Sequence, residues 1–168
     1  MLKKLFLAAC GLALLTSAVA QTNAAFTRTE DVIYGRKFGT ALTLDVFQPA
    51  KSNGVGIIFM VSGGWFSAHE AINAEKCRPF LDRGYTVFAV VHGSQPKFVV
   101  TEIVEDIHRA VRFIRHNAGK YGVDASRLGI TGGSAGGHLS LTMAVKGGQG
   151  NAEAKNPVDR ESSEVQCV

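Results

Sequence analysis

Cysteine is scarce: Cys10, Cys77 and Cys167 are the three copies in 168 residues. That excludes a disulfide framework, and their spacing lacks the paired ligands of a zinc site. Cys77 and Cys167 either bridge in an oxidising compartment or remain two buried free thiols. A strong excess of one charge is missing as well, because the formal net charge of +4 falls to +2 once Lys3 and Lys4 are removed with a leader. So small an excess makes no electrostatic case for nucleic acid or an anionic membrane surface. No apolar run reaches the roughly 20 residues of a membrane span. There is no internal repeat and no sign of a second domain. Gly132 to Gly137 lack the Lys-Ser/Thr of a phosphate loop, and no metal cluster or nucleotide fingerprint is found, so neither metal nor cofactor is expected. What is present, 46% apolar and 19% charged residues, is the composition of one ordinary globular domain.

The first twenty residues read as an export signal. Lys3 and Lys4 form a charged start, Leu5 to Leu15 an apolar stretch, and Ala18-Val19-Ala20 a small-residue cleavage site. Cleavage after Ala20 places a mature chain of residues 21–168 outside the cell or in the periplasm. Leu7-Ala8-Ala9-Cys10-Gly11 also resembles a lipid-attachment box at Cys10. The apolar run continues well past that cysteine, so no stable membrane anchor is expected.

Strand patterns cover Asp31 to Tyr34 and Leu42 to Phe47, the second alternating Leu42, Leu44 and Val46 against Thr43, Asp45 and Phe47. Gly56 to Val61 and Tyr85 to Val91 are unbroken apolar runs, which suit central strands covered on both faces. Between them, Asn73 to Arg83 is helical, and Pro79 either starts that helix or kinks it. The clearest helix runs from Val100 to Asn117, with Ile103, Ile107, Ala110, Val111 and Ile114 at helical spacing and Gly119 after it. Leu128 to Thr131 is a short strand that leads through glycines into a small apolar helix ending at Val145. Lys146 to Glu164 reads as a surface loop, and a last strand begins at Val165. Strands alternating with helices predict an α/β domain, a mostly parallel sheet with helices on both faces.

Gly132-Gly133-Ser134-Ala135-Gly136, between a predicted strand and a predicted helix, has the form of a nucleophile elbow. A sharp turn lifts the serine oxygen clear of the sheet, and the flanking glycines leave the backbone room for it. Ser62-Gly63-Gly64-Trp65 ends the earlier central strand. Acyl transfer builds negative charge on a carbonyl oxygen, and each preorganised N–H aimed at it contributes about 3 to 4 kcal/mol. Gly63, Gly64 and Ala135 are therefore the expected oxyanion donors around a catalytic Ser134. Trp65 is expected to wall the substrate pocket, and His92, in a loop at the carboxyl end of a strand, to line it. Asp106 reads as a helix-surface partner of Arg109, and Asp124 as a turn former. His69, His108 and His116 read as loop or exposed helix residues.

These pieces together resemble the α/β-hydrolase superfamily, near its hormone-sensitive-lipase and carbohydrate-esterase-like branches. The matching residues are Gly64-Trp65, Asp106 with Arg109-Ala110, Val123-Asp124 with Arg127, and Ser134-Ala135-Gly136-Gly137-His138. The likeness covers Asp31 to Val145 and implies a serine hydrolase acting on small-molecule or carbohydrate acyl esters. Three departures stand out. Val61-Ser62 occupies the place where many relatives carry a histidine before the oxyanion glycines, so that loop is held differently. Gly133 replaces the acidic residue of lipase-like relatives.

The third departure is at the end of the chain. The superfamily's triad acid and histidine follow the serine in that order, yet His138 is the only histidine among the 34 residues after Ser134, and it sits in the helix that the serine opens. The resemblance thus implies further strands after Val168 carrying the acid and the base, and residues 21–168 read as an incomplete hydrolase domain. A peptidase of the same fold and a non-catalytic binding protein built on a shortened hydrolase core are the alternatives. The sequence leaves the oligomeric state open.

Overall fold

The computed structural model describes residues 26–168; the expected export signal and the Cys10 alternative lie outside the described residues. Strand β1 (Phe26–Lys37) turns back through Phe38 and Gly39 into β2 (Thr40–Pro49). Both turn residues have positive φ, 44° and 74°, the two-residue hairpin geometry that matches strand twist. Three short strands follow, β3 (Gly56–Met60), β4 (Thr86–Val90) and β5 (Leu128–Gly132). The sheet order is β1-β2-β4-β3-β5. β3 lies parallel to both β4 and β5, whereas β2 runs antiparallel to β4 and β1. The sheet is therefore mixed, with its parallel part where apolar runs are unbroken.

Period-two alternation explains why those runs are unbroken. Ile58 sits between Phe88 and Ile130 in register. All three face the larger core beneath α2 (Val100–His116) and α3 (Ala135–Lys146). Ile57, Val87 and Ala89 point the other way, onto Cys77 and Leu81 of α1 (Ala74–Leu81). Both faces are dry, so the strand interiors from Ile57 to Met60 and from Val87 to Val90 are apolar throughout. Ile103, Ile107 and Ile114 of α2 are wholly buried, each contributing about 1.5–3 kcal/mol by leaving water.

α1 starts at Ala74, capped by the Asn73 side chain accepting from Glu75 N–H at 2.9 Å, and carries Pro79 in its interior. α2 ends at His116 with Asn117 as its cap, within a residue of the expected end, but Gly119 is not the residue that terminates it: a 3₁₀ turn over Ala118–Tyr121 follows, and Gly122 supplies the left-handed residue, φ 67°. Segment 146–164 is docked rather than free. Arg115 of α2 donates to the Ser162 carbonyl at 2.9 Å, His108 bonds Ser163 Oγ at 2.9 Å, and Arg109 pairs with Asp159 in a 3₁₀ turn. Asp106 corrects the expectation of a surface partner for Arg109. It is 4% exposed, and Lys37 Nζ lies 2.7 Å away. The last strand is reduced to a parallel bridge of Cys167 to Gly129, with Ile130 N–H donating to the Cys167 carbonyl at 3.0 Å. Cys77 is buried and Cys167 exposed, and both are free thiols.

Candidate active site

The turn from β5 into α3 holds Ser134 at φ 53°, ψ −122°, a conformation that side chains adopt only when their surroundings enforce it. The enforcement is close packing on either side. A Cβ on Gly132 would stand 2.7 Å from the carbonyl carbon of Gly136, and one on Gly136 would stand 2.7 Å from the Met60 carbonyl oxygen. Only glycine at both positions lets α3 start this close to β5 and β3. Ser134 itself is exposed. Ala135 follows as the first residue of α3, where a backbone N–H has no partner within the helix.

Opposite the elbow, β3 ends in Val61-Ser62-Gly63-Gly64-Trp65. Gly63 and Phe66 exchange two backbone hydrogen bonds, at 3.0 and 2.9 Å, which folds the segment into a tight loop. Gly64 and Trp65 at its tip both have positive φ, 57° and 59°. Ser67 fastens the base of the loop: its hydroxyl donates to the Val61 carbonyl and accepts His92 N–H at 3.2 Å. Ser94 adds two bonds to the Ser67 backbone, at 2.8 and 2.7 Å. Ser62, Gly63, Phe66, Gly133 and Ser134 line one pocket of about 430 Å³. A larger cleft of about 670 Å³ lies against Tyr34, Lys37, Asp106 and Arg109. Ser134 does not line that cleft, so size and chemistry point to different places, and the strained serine identifies the smaller pocket as the candidate site.

Residues 44–168 match the BD-FAE family. The chain belongs to that family. It is 28% identical over 128 residues to a probable isoprenylcysteine alpha-carbonyl methylesterase of Oryza sativa subsp. japonica, covering 72% of this chain and 30% of that relative. Among solved structures it is similar to an acetyl ester-xyloside bifunctional hydrolase from Caldicellulosiruptor lactoaceticus, with TM-score 0.71 and 21% identity over 86% of this chain and 55% of that one. A truncated carbohydrate esterase from gut microbiota matches with TM-score 0.68 and 28% identity, over 85% of this chain and 55% of that one. The chain thus spans about a third of the curated relative and about half of these solved structures. The fold is that of the α/β-hydrolases.

Within this BD-FAE chain Ser134 and Gly63 line one pocket, and Gly64 and Ala135 are their chain neighbours outside its lining. Gly63 departs from its expected role, because its N–H already donates to the Phe66 carbonyl. Gly64 N–H has no hydrogen-bond partner among the described residues. Trp65 stands edge-on to His138 at 5.8 Å between ring centroids, beside the first turn of α3. His92 does not line that pocket but a separate one of about 380 Å³ with Ser94 and Phe98; it is 3% exposed, with Nε2 2.8 Å from Ser62 Oγ and Nδ1 2.7 Å from the Gly93 carbonyl. Burial lowers its pKa from the ordinary 6.5, with the facing charges of Asp106 and Lys37 acting in opposite directions.

Among the described residues no histidine bonds Ser134. His92 is held by Ser62, His108 by Ser163, His116 by Glu161, His69 lies 3.3 Å from Asp31, and His138 packs on Trp65. Asp31, Asp45 and His69 bring three potential metal-ligand atoms within 4.8 Å of one another. The Arg28 guanidinium, with Nε 2.7 Å from Asp45, already neutralises the buried member of that group. Sequence reasoning missed the Ser62–His92 bond and the burial of Asp106. A signal for the second was present: Asp106 stands three residues after Ile103 and four before Ala110, on the apolar face of α2.

Proposed function

We propose that this protein is an exported serine hydrolase of carboxylic esters, acyl esters of carbohydrate among them, with Ser134 as nucleophile. The observation that carries the reading is the strained, exposed Ser134 lining one pocket with Ser62 and Gly63 of the loop that ends β3. Ser134 Oγ forms a bond to the ester carbonyl carbon while its proton passes to a general base. The carbonyl oxygen becomes an oxyanion held by the N–H groups of Gly64 and Ala135. Collapse breaks the bond to the alcohol, which leaves with the proton, and water then cleaves the acyl-serine to a carboxylic acid. No described histidine reaches Ser134, so the base is expected from another part of the full-length protein. Membership of the BD-FAE family and likeness to a methylesterase and a carbohydrate esterase support ester over amide substrates. Export rests on the leader and its cleavage after Ala20.

The test is ester hydrolysis by the full-length protein and its Ser134→Ala variant. Loss of turnover by at least about a thousandfold is expected, the scale on which nucleophile removal acts. Unchanged turnover in S134A would overturn the assignment. The missing Ser134–histidine contact favours a second reading, a hydrolase core that only binds. A folded full-length protein that neither turns over esters nor labels with a serine-reactive phosphonate would establish it.

A further inference from the structure

β3 ends with the ladder bond from Val61 N–H to the Val90 carbonyl at 3.1 Å. Beyond it come two adjacent glycines, and the space where a Cβ would stand on either holds no atom within 4 Å. Packing therefore gives the tip of this loop no support from that side, and a Gly-Gly segment has the widest backbone freedom of any pair. Yet an oxyanion donor acts only when its N–H is aimed before the charge develops. The aim comes from hydrogen bonds: the Gly63–Phe66 backbone pair, Gln95 N–H donating to the Trp65 carbonyl at 3.2 Å, and side-chain bonds at the base of the loop.

One of those side-chain bonds comes from outside the loop. The His92 ring is buried, and its Nδ1 lies 2.7 Å from the Gly93 carbonyl. A carbonyl only accepts, so Nδ1 carries the proton and Nε2 is left as an acceptor. Ser62 Oγ, 2.8 Å from Nε2, is thereby the donor. The ring is fixed in turn from behind: Gly93 N–H donates to Asp106 Oδ2 at 2.9 Å, and Lys37 Nζ donates to the same carboxylate at 2.7 Å. The chain Lys37, Asp106, Gly93, His92, Ser62 joins β1 and α2 to the residue immediately before the double glycine.

We propose that His92 is a positioning residue for the oxyanion loop: by accepting the Ser62 hydroxyl at Nε2, it fixes the exit of β3 and hence the direction of the Gly64 N–H. The catalytic meaning of this hold rests on Ser134 being the nucleophile; the hold itself does not. His92 touches no reacting atom. It acts through Ser62.

Two readouts on the full-length protein test the proposal and keep it separable from the hydrolase reading. The first is amide exchange at Gly63 and Phe66, followed by NMR together with the ¹⁵N shifts of the His92 ring. Ser62→Ala and His92→Phe should speed exchange at both amides about tenfold, the scale of one lost hydrogen bond. Val61, on the β3–β4 ladder, should stay unchanged. His92→Gln, whose amide oxygen also accepts from Ser62, should restore protection, and the wild-type ring should show the Nδ1–H neutral tautomer.

The second readout is the rate of labelling by a fluorophosphonate, with the adduct located by peptide mass spectrometry. Slower labelling of Ser134 in S62A and H92F, recovered in H92Q, is expected. Should H92F fail to fold, S62A at its half-buried position carries the same test. Unchanged Gly63 and Phe66 exchange in S62A overturns the proposal, as does an adduct on Ser62, which would make that hydroxyl a nucleophile. Exchange that responds as expected in a protein whose Ser134 never labels supports the hold and overturns the hydrolase reading alone.

Discussion

Gly136 lies against Met60 so closely that a Cβ would stand 2.7 Å from the Met60 carbonyl oxygen. The contact joins the first turn of α3 to the end of β3, the two places from which the candidate nucleophile and its oxyanion loop emerge. Gly136→Ala should therefore force α3 away from the sheet and destabilise the protein by about 2–3 kcal/mol, as overpacking against backbone does. Urea unfolding should show a lower midpoint at an unchanged slope. An unaltered midpoint would mean that α3 shifts freely.

The strain at Ser134 makes a prediction with the opposite sign. Its φ of 53° costs little for glycine and about 1–3 kcal/mol for any residue with a Cβ. Ser134→Gly should raise the melting temperature, by a net stabilisation of about 1 kcal/mol after the entropy of the freer unfolded chain is set against it. Ser134→Ala keeps the Cβ and should leave stability within about 0.5 kcal/mol of wild type. Equal melting points for the glycine and alanine variants would show that the turn stores no such strain.

Stability should also depend on pH through His92. Its pKa is lowered from 6.5, chiefly by burial, so the unfolded chain binds this proton more readily than the folded one. The stabilisation is fully present above pH 6.5 and is lost as pH falls through the lower folded value. His108, lowered by burial too, acts in the same direction. Urea midpoints measured from pH 8 down to pH 5 should decline in wild type, and His92→Gln should flatten part of that decline. A profile identical in the two proteins would remove His92 from the account.

The two described cysteines should differ in reactivity. Cys167 is exposed, whereas burial pushes the Cys77 thiol up to about 11, and the thiolate is the reactive form. Iodoacetamide at neutral pH should modify Cys167 in the folded protein and reach Cys77 only on unfolding, as peptide mapping would show. Equal labelling of both would mean that α1 opens readily. The pair does not form the two buried thiols that the sequence suggested, since the end of the chain lies along the exposed edge of β5.

Much of this architecture was legible in the order of residues. Ile57 and Ile58 could both be read as buried because an unbroken apolar run satisfies a strand with two dry faces, and α2 because Ile103, Ile107, Ala110 and Ile114 return every three or four residues. Ser134 was legible for the same local reason: glycines two residues before and after it lie within the turn they permit. Pro79 was ambiguous, since a helix that begins before it and one that begins at it share the same composition. The docking of segment 146–164 was hidden, because its anchors, Arg109 and Arg115, are on a helix some fifty residues earlier.

The division follows the range of the forces. Spacing along the chain, set by strand and helix periods and by the freedom of glycine, determines the strands, the helices and the elbow. It can also place Asp106 on an apolar face, but not name the group that meets it there. Only tertiary structure decided that Gly93 N–H and Lys37 satisfy Asp106, that Gly63 turns its N–H to Phe66, and that His92 faces Ser62 across thirty residues. A buried polar atom must find a partner wherever the packed elements bring one, and the sheet order β2-β4-β3-β5, not the sequence between them, sets which partners are near.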